Sequence, residues 1–130
     1  MGASIKTPQA YQPDPVAGFR AVVLQSTVAS YTSTSSTVMV PGSDFDAVMW
    51  STIAITAKVT TNAVTWSVFG ANLADYSDAI QLQVPASISA NGVGSYSASF
   101  FPYAYCFVKA TDTVGGTHGS ISLNVMAKTA

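Results

Sequence analysis

From Arg20 onward, apolar residues recur at every second position in short runs, and that period of two most restricts the fold. Ile53, Ile55, Ala57 and Val59 alternate with Thr52, Ala54, Thr56 and Lys58. Val64, Trp66 and Val68 alternate with Thr65, Ser67 and Phe69. Ile80, Leu82 and Val84 alternate with Gln81 and Gln83 before Pro85, and Tyr96, Ala98 and Phe100 alternate with serines. Ile121, Leu123 and Val125 repeat the pattern. Alternation of this kind sends one set of side chains to a buried face and the other to solvent, which is the signature of a half-buried strand. Pro41-Gly42, Thr61-Asn62, Asn91-Gly92 and Gly115-Gly116 supply turns between the runs. With the apolar stretches at 21–28 and 105–112, and a Ser/Thr-rich run at 31–40 that ends Val38-Met39-Val40, the spacing predicts about eight short strands in an all-β antiparallel sandwich. Residues 44–50 and 72–78 have room for one helical turn each, but neither repeats an apolar stripe at helical spacing.

Residues 1–19 read differently. Pro8, Pro13 and Pro15 remove backbone donors and bias their neighbours toward extended backbone, and nothing there alternates cleanly. The chain divides into an extended N-terminal arm, 1–19, and a β-sandwich domain, 20–130. The arm is expected to lie across a neighbouring subunit or the surface to which the chain binds, since it has no core of its own.

Charge narrows the function. Of 130 residues, 48% are hydrophobic and 8% charged, with 5 Lys+Arg against 6 Asp+Glu. Globular chains average about 25% charged residues. No run of about 20 apolar residues exists to cross a membrane as a helix. Five scattered cations are no footprint for nucleic acid. The N-terminus has no apolar signal region, so synthesis is expected in a reducing cytoplasm. The single cysteine, Cys106, has no internal disulfide partner and sits in an apolar run as a small core residue. Ser and Thr fill the outward strand positions that elsewhere carry Lys and Glu. Strand edges without charged gatekeepers pair with other edges, so the chain is expected to belong to an assembly.

No catalytic set emerges. His118, the lone histidine, lies in a Gly-rich turn with Asp112 as its nearest carboxylate in sequence, and reads as an exposed loop residue. No G-x-S-x-G elbow accompanies it. The chain has no glutamate. Asp44 with Asp46, and Asp75 with Asp78, read as turn residues that bond nearby amides. Asn72, Asp75 and Asp78 also form a weak Ca²⁺ candidate without EF-hand spacing. Trp50, Trp66, Tyr76, Tyr96, Tyr103 and Tyr105 are the candidates for a sugar-stacking platform, with Trp66 expected in the core instead. Phe100-Phe101-Pro102-Tyr103 is the expected exposed apolar patch, a protein contact rather than a ligand pocket. The expectation is therefore no catalytic, cofactor-binding or metal site, and no cofactor.

The run Val64-Thr65-Trp66-Ser67-Val68-Phe69-Gly70-Ala71-Asn72, then Asp75-Tyr76-Ser77-Asp78 and Tyr103-Ala104-Tyr105-Cys106-Phe107-Val108-Lys109-Ala110, resembles small jelly-roll β-sandwich virion proteins of tailed bacteriophages. The resemblance covers roughly residues 60–128. It implies a non-enzymatic head decoration, or cement, protein, expected as a trimer on the capsid exterior with the major capsid protein as partner. The alternative it leaves is a carbohydrate- or receptor-binding module of a phage tail or fibre. Sugar-binding modules usually set Arg or His beside the aromatic platform, and here Arg20 and His118 are the only such residues.

Overall fold

A computed structural model describes residues 23–129. The expected arm lies outside them. Ten strands form: β1 (Val23–Thr32), β2 (Val38–Met39), β3 (Phe45–Asp46), β4 (Thr52–Val59), β5 (Val64–Ala71), β6 (Ile80–Gln81), β7 (Ala86–Ile88), β8 (Val93–Ala98), β9 (Tyr105–Asp112) and β10 (Ser120–Lys128). No helix occurs among the described residues.

One sheet has the order β1-β10-β4-β8. The other centres on β9 and β5, with β2 and β3 pairing β9 and with β6 and β7 pairing β5. All pairs are antiparallel. Counting β2 with β3 and β6 with β7 gives eight strand positions in a jelly-roll order.

The alternating residues do what their period requires. Ile53, Ile55, Ala57 and Val59 of β4 face Val64, Trp66 and Val68 of β5 across the sandwich, with Ile121, Leu123, Val125 and Ala127 of β10 beside the first set. Cys106, Val108 and Ala110 of β9 complete the far wall. Trp66 is only 1% exposed, so the core assignment holds.

The count of about eight becomes ten because β3 and β7 are added, and two expected runs form less strand than their pattern suggests. The 31–40 run begins as the end of β1, past a register shift between Val28 and Tyr31, and pairs again only at Val38–Met39. In the 80–84 run, Ile80 and Val84 are exposed and only Leu82 packs against the core. Pro85 cannot donate to a ladder, and β7 takes over the pairing with β5 after it. The Phe45–Asp46 strand lies where one helical turn had room. Loops 47–51, 72–79 and 99–104 gather at the end of the sandwich where β1 starts and β8 stops, here termed the loop end. The 60–63 turn and the 113–119 loop lie at the opposite end.

Candidate functional site

At that opposite end, Ser33 comes together with Asp112 and His118, which lie 79 or more positions further along the chain. The Ser33 hydroxyl donates to Asp112 Oδ1 at 2.6 Å and accepts the Gly119 N–H at 2.9 Å. His118 Nδ1 lies 2.9 Å from Asp112 Oδ2, which also accepts the Gly116 N–H at 3.2 Å. The Asp112 side chain is 0% exposed and the His118 side chain 51%. His118 is thus an exposed loop residue, as expected, but one tied to a buried carboxylate. A nucleophilic triad needs the imidazole between hydroxyl and carboxylate. Here the carboxylate is in the middle, so the hydroxyl has no base beside it. The arrangement is a clasp that joins the end of β1, the end of β9 and the start of β10.

The clasp has an acid limit. Burial pushes the Asp112 carboxyl up, but hydrogen bonds from Ser33, His118 and Gly116 outweigh it and hold the group below its ordinary 3.8. A carboxyl lowered in the native state stabilises fully above the unfolded value and loses that contribution as pH falls through the native one. Stability should therefore drop below about pH 4. Asp75 adds the same sign, because the Ser77 N–H and hydroxyl lower its carboxyl as well. The Asp112 share is isolated by comparing wild type with Asp112→Asn in thermal melts from about pH 6 to 2.5. The variant should start less stable and show a flatter acid limb; parallel limbs would remove Asp112 from the account.

At the loop end, Asp46, Asp75 and Asp78 act as turn residues, while Asp44 accepts the Tyr76 hydroxyl. Asp78 accepts the N–H groups of Asn72 and Leu73 at 3.0–3.2 Å. Asp75 Oδ1 accepts Ser77 N–H at 3.0 Å, and Asp46 Oδ1 accepts Val48 N–H at 2.9 Å. Asn72 Oδ1 accepts Ala104 N–H at 3.1 Å. These oxygens are aimed at backbone amides rather than at a common point. Among the described residues, no three His, Cys, Asp or Glu side chains group to hold a metal ion.

The six candidate platform aromatics do not assemble into one face. Trp66 is core, while Trp50, Tyr96 and Tyr103 are half-buried and pack against the core cluster. Tyr76 and Tyr105 lie instead on the outer face of the β5–β9 sheet. There Tyr76 stacks on Phe107 at 4.9 Å and Phe107 on Phe69 at 5.4 Å, with Lys109 Nζ 4.7 Å above the Phe69 ring. Tyr76 adopts φ 61°, a left-handed conformation costly for a bulky residue, and its hydroxyl donates to Asp44 Oδ2 at 2.8 Å. Burial, then Asp44, pushes the phenol up to about 12. This ladder covers the sheet and leaves no open stacking plane over Phe107, which is buried. Of the expected apolar patch, Phe100 is 73% exposed, whereas Phe101 is buried and Tyr103 packs edge-on against it at 5.7 Å. Val48 and Met49 supply the exposed neighbours that the sequence reading missed.

Among the described residues, the four-stranded sheet leaves two edges without a partner strand. β1 and β8 bound the four-stranded sheet, and no described strand pairs with their outer sides. β1 reads VLQSTVASYT and β8 VGSYSA, neither with a charge or a proline. Pairing through β10 and β4 makes β1 and β8 antiparallel to each other. A copy displaced sideways therefore sets its β1 antiparallel to β8 and continues the sheet in the same hydrogen-bond pattern. Val23 to Val28 run in unbroken register before the shift, and their length matches the 6 residues of β8.

No family model matches this chain, and no curated protein does. Among solved structures it is similar to a chain from the Bacillus endospore appendages, which form disulfide-linked pili. The match has a TM-score of 0.50 at 10% identity and covers 92% of this chain and 100% of that one. The likeness is one of fold: a small β-sandwich used in a structural protein. The cysteine chemistry differs from a disulfide-linked assembly. Cys106 is fully buried and burial pushes its thiol up to about 12, so this residue offers no accessible thiolate for a link between chains.

Proposed function

We propose that this chain is a non-enzymatic structural subunit that assembles with further copies of itself by sheet-edge pairing of β1 with β8. The observation that carries the reading is the pair of long, uncharged, mutually antiparallel edges on one sheet. Soluble proteins usually block such edges with Lys, Pro or a covering loop. A head-to-tail edge contact does not close on itself by two-fold symmetry, so it gives rings or filaments. The shared fold with a pilus protein supports this use of the sandwich.

The direct test places charge on the edge. Gln25 and Thr27 are exposed on β1, where surface substitutions cost little stability, within about 0.5 kcal/mol each. The Gln25→Lys/Thr27→Lys variant should melt like wild type yet lose sedimentable polymer by at least about tenfold. Wild-type chain that stays monomeric by light scattering at its solubility limit would overturn the reading. Backbone pairing between uncharged edges should also survive a rise from about 0.05 to 0.5 M NaCl with less than roughly tenfold loss.

A second reading keeps the same edges but another partner. It is a head decoration protein on a bacteriophage capsid exterior, trimeric and bound to the major capsid protein. The exposed apolar residues of the loop end, Val48, Met49 and Phe100, favour a docking role of this kind. Co-sedimentation with empty phage heads, by a chain that forms no polymer alone, would select it.

A further inference from the structure

The loop end carries a groove of about 330 Å³ lined by Val48, Phe100, Phe101, Pro102 and Tyr103, among others. Its walls are fixed. Ala47 N–H donates to Ala104 O at 2.7 Å, and Phe101 N–H donates to Ser51 O at 3.0 Å. Asn72 ties the third loop to the same backbone. Exposed apolar groups on a rigid rim mark a contact surface. Around it the charge is one-sided: Asp44, Asp46, Asp75 and Asp78 are exposed on these loops, and among the described residues Lys128 is the cation at this end. Four carboxylates against one ammonium leave a local net charge of about −3 at neutral pH.

We propose that this groove receives residues 1–22 of the adjacent copy, and the proposal rests on the β1–β8 edge pairing above. Three observations select that occupant. The first is position. Val23 lies at the loop end, and within its own sheet β10 and β4 separate β1 from β8. Its own Phe100, just beyond β8, is therefore three strand spacings away, about 14 Å at 4.8 Å each. In an edge-paired neighbour, β8 lies one spacing away, about 4.8 Å. Val23, from which that segment leads, thus lies nearer the neighbour's groove than its own.

The second observation is length. Twenty-two residues can span at most about 75 Å, far more than the distance across one domain end, so the segment can follow the neighbour's rim. The third is chemistry. Residues 1–22 hold Ile5, Tyr11, Val16 and Phe19 as apolar anchors, and Lys6 and Arg20 against Asp14, for a net charge of +1. The charge balance opposes that of the rim. Salt should then weaken the seating of this segment while leaving the edge contact in place.

Carbodiimide coupling of full-length chain tests this, with light and ¹⁵N-labelled copies mixed before assembly. The reagent joins the Lys6 amine to a carboxylate that it touches. Expected products link Lys6 to Asp44, Asp46, Asp75 or Asp78, with light–heavy pairs at the share of random mixing and fewer at 0.5 M NaCl than at about 0.05 M. The Val48→Ser/Phe100→Ser variant should form polymer but lose these links by about tenfold or more. Isotopically pure pairs would mean that the segment caps its own domain, and polymer without Lys6 links to these aspartates would mean that the groove has another occupant. Either result overturns the proposal while the edge pairing stands. Absence of polymer from wild type instead counts against the edge reading itself.

Discussion

Replacing Trp66 by Ala should lower the melting temperature by more than about 10 °C, the largest loss expected from any single side-chain truncation here. Trp66 sits in the middle of β5 at 1% exposure, between fully buried Val64 and Val68. Its cross-strand neighbours are Ala110 on β9 and Ala86 on β7, both too small to close over a vacated indole. Gly94 of β8 comes close above the ring, since a Cβ there would lie 3.1 Å from the indole nitrogen. With small residues on three sides, the cavity cannot collapse. Truncation of a buried Trp costs about 3–5 kcal/mol, a large part of the 5–15 kcal/mol by which domains are stable. Thermal unfolding by circular dichroism measures it. A shift of under about 3 °C would mean that the ring is not a core residue, and would return it to the sugar-platform candidates.

Gly119→Ala should destabilise by about 3 kcal/mol, at the upper end for an overpacking change. A Cβ at this position would stand 2.1 Å from the Asn62 carbonyl oxygen and 2.7 Å from Val64 Cγ2. The first of these is backbone, so the conflict is not relieved by a rotamer change. Movement of residue 119 also pulls its N–H away from Ser33 Oγ, and its own carbonyl from Ser33 N–H, now bonded at 2.8 Å. The clasp would open with it. Urea unfolding gives the free energy, and faster amide exchange at Gly119 and Ser33 shows whether the clasp has loosened. Wild-type stability in the variant would mean that the 60–63 turn yields easily, contrary to its packing.

How much of this was legible beforehand differs by element. β4, β5 and β10 were readable residue by residue, because each buries one face and the alternation reports that face directly. The 80–84 run shows the same alternation and misleads. Its two outer apolar residues point to solvent, since after Pro85 the partner edge of β5 is taken by β7. The clasp was out of reach for another reason: Ser33, Asp112 and His118 acquire meaning only when the ends of β1 and β9 meet across 79 positions. The nearest local sign was an aspartate closing the most apolar strand, which also reads as an ordinary strand end. The platform candidates fared similarly. Composition counted the aromatics, but strand parity and loop path sent Trp66 inward and Tyr76 onto the opposite face.

The sequence by itself determined the all-β class, the core rows, the turn role of Asp46, Asp75 and Asp78 and the shortage of charge, because these follow from the local alternation and chemistry of neighbouring residues. Only the tertiary structure decided which strands end as edges, that the two free edges of one sheet are antiparallel, and which apolar loops share a rim. Those are outcomes of long-range pairing: an edge is defined by the absence of a neighbour, and no residue in β1 or β8 records how many strands lie between them.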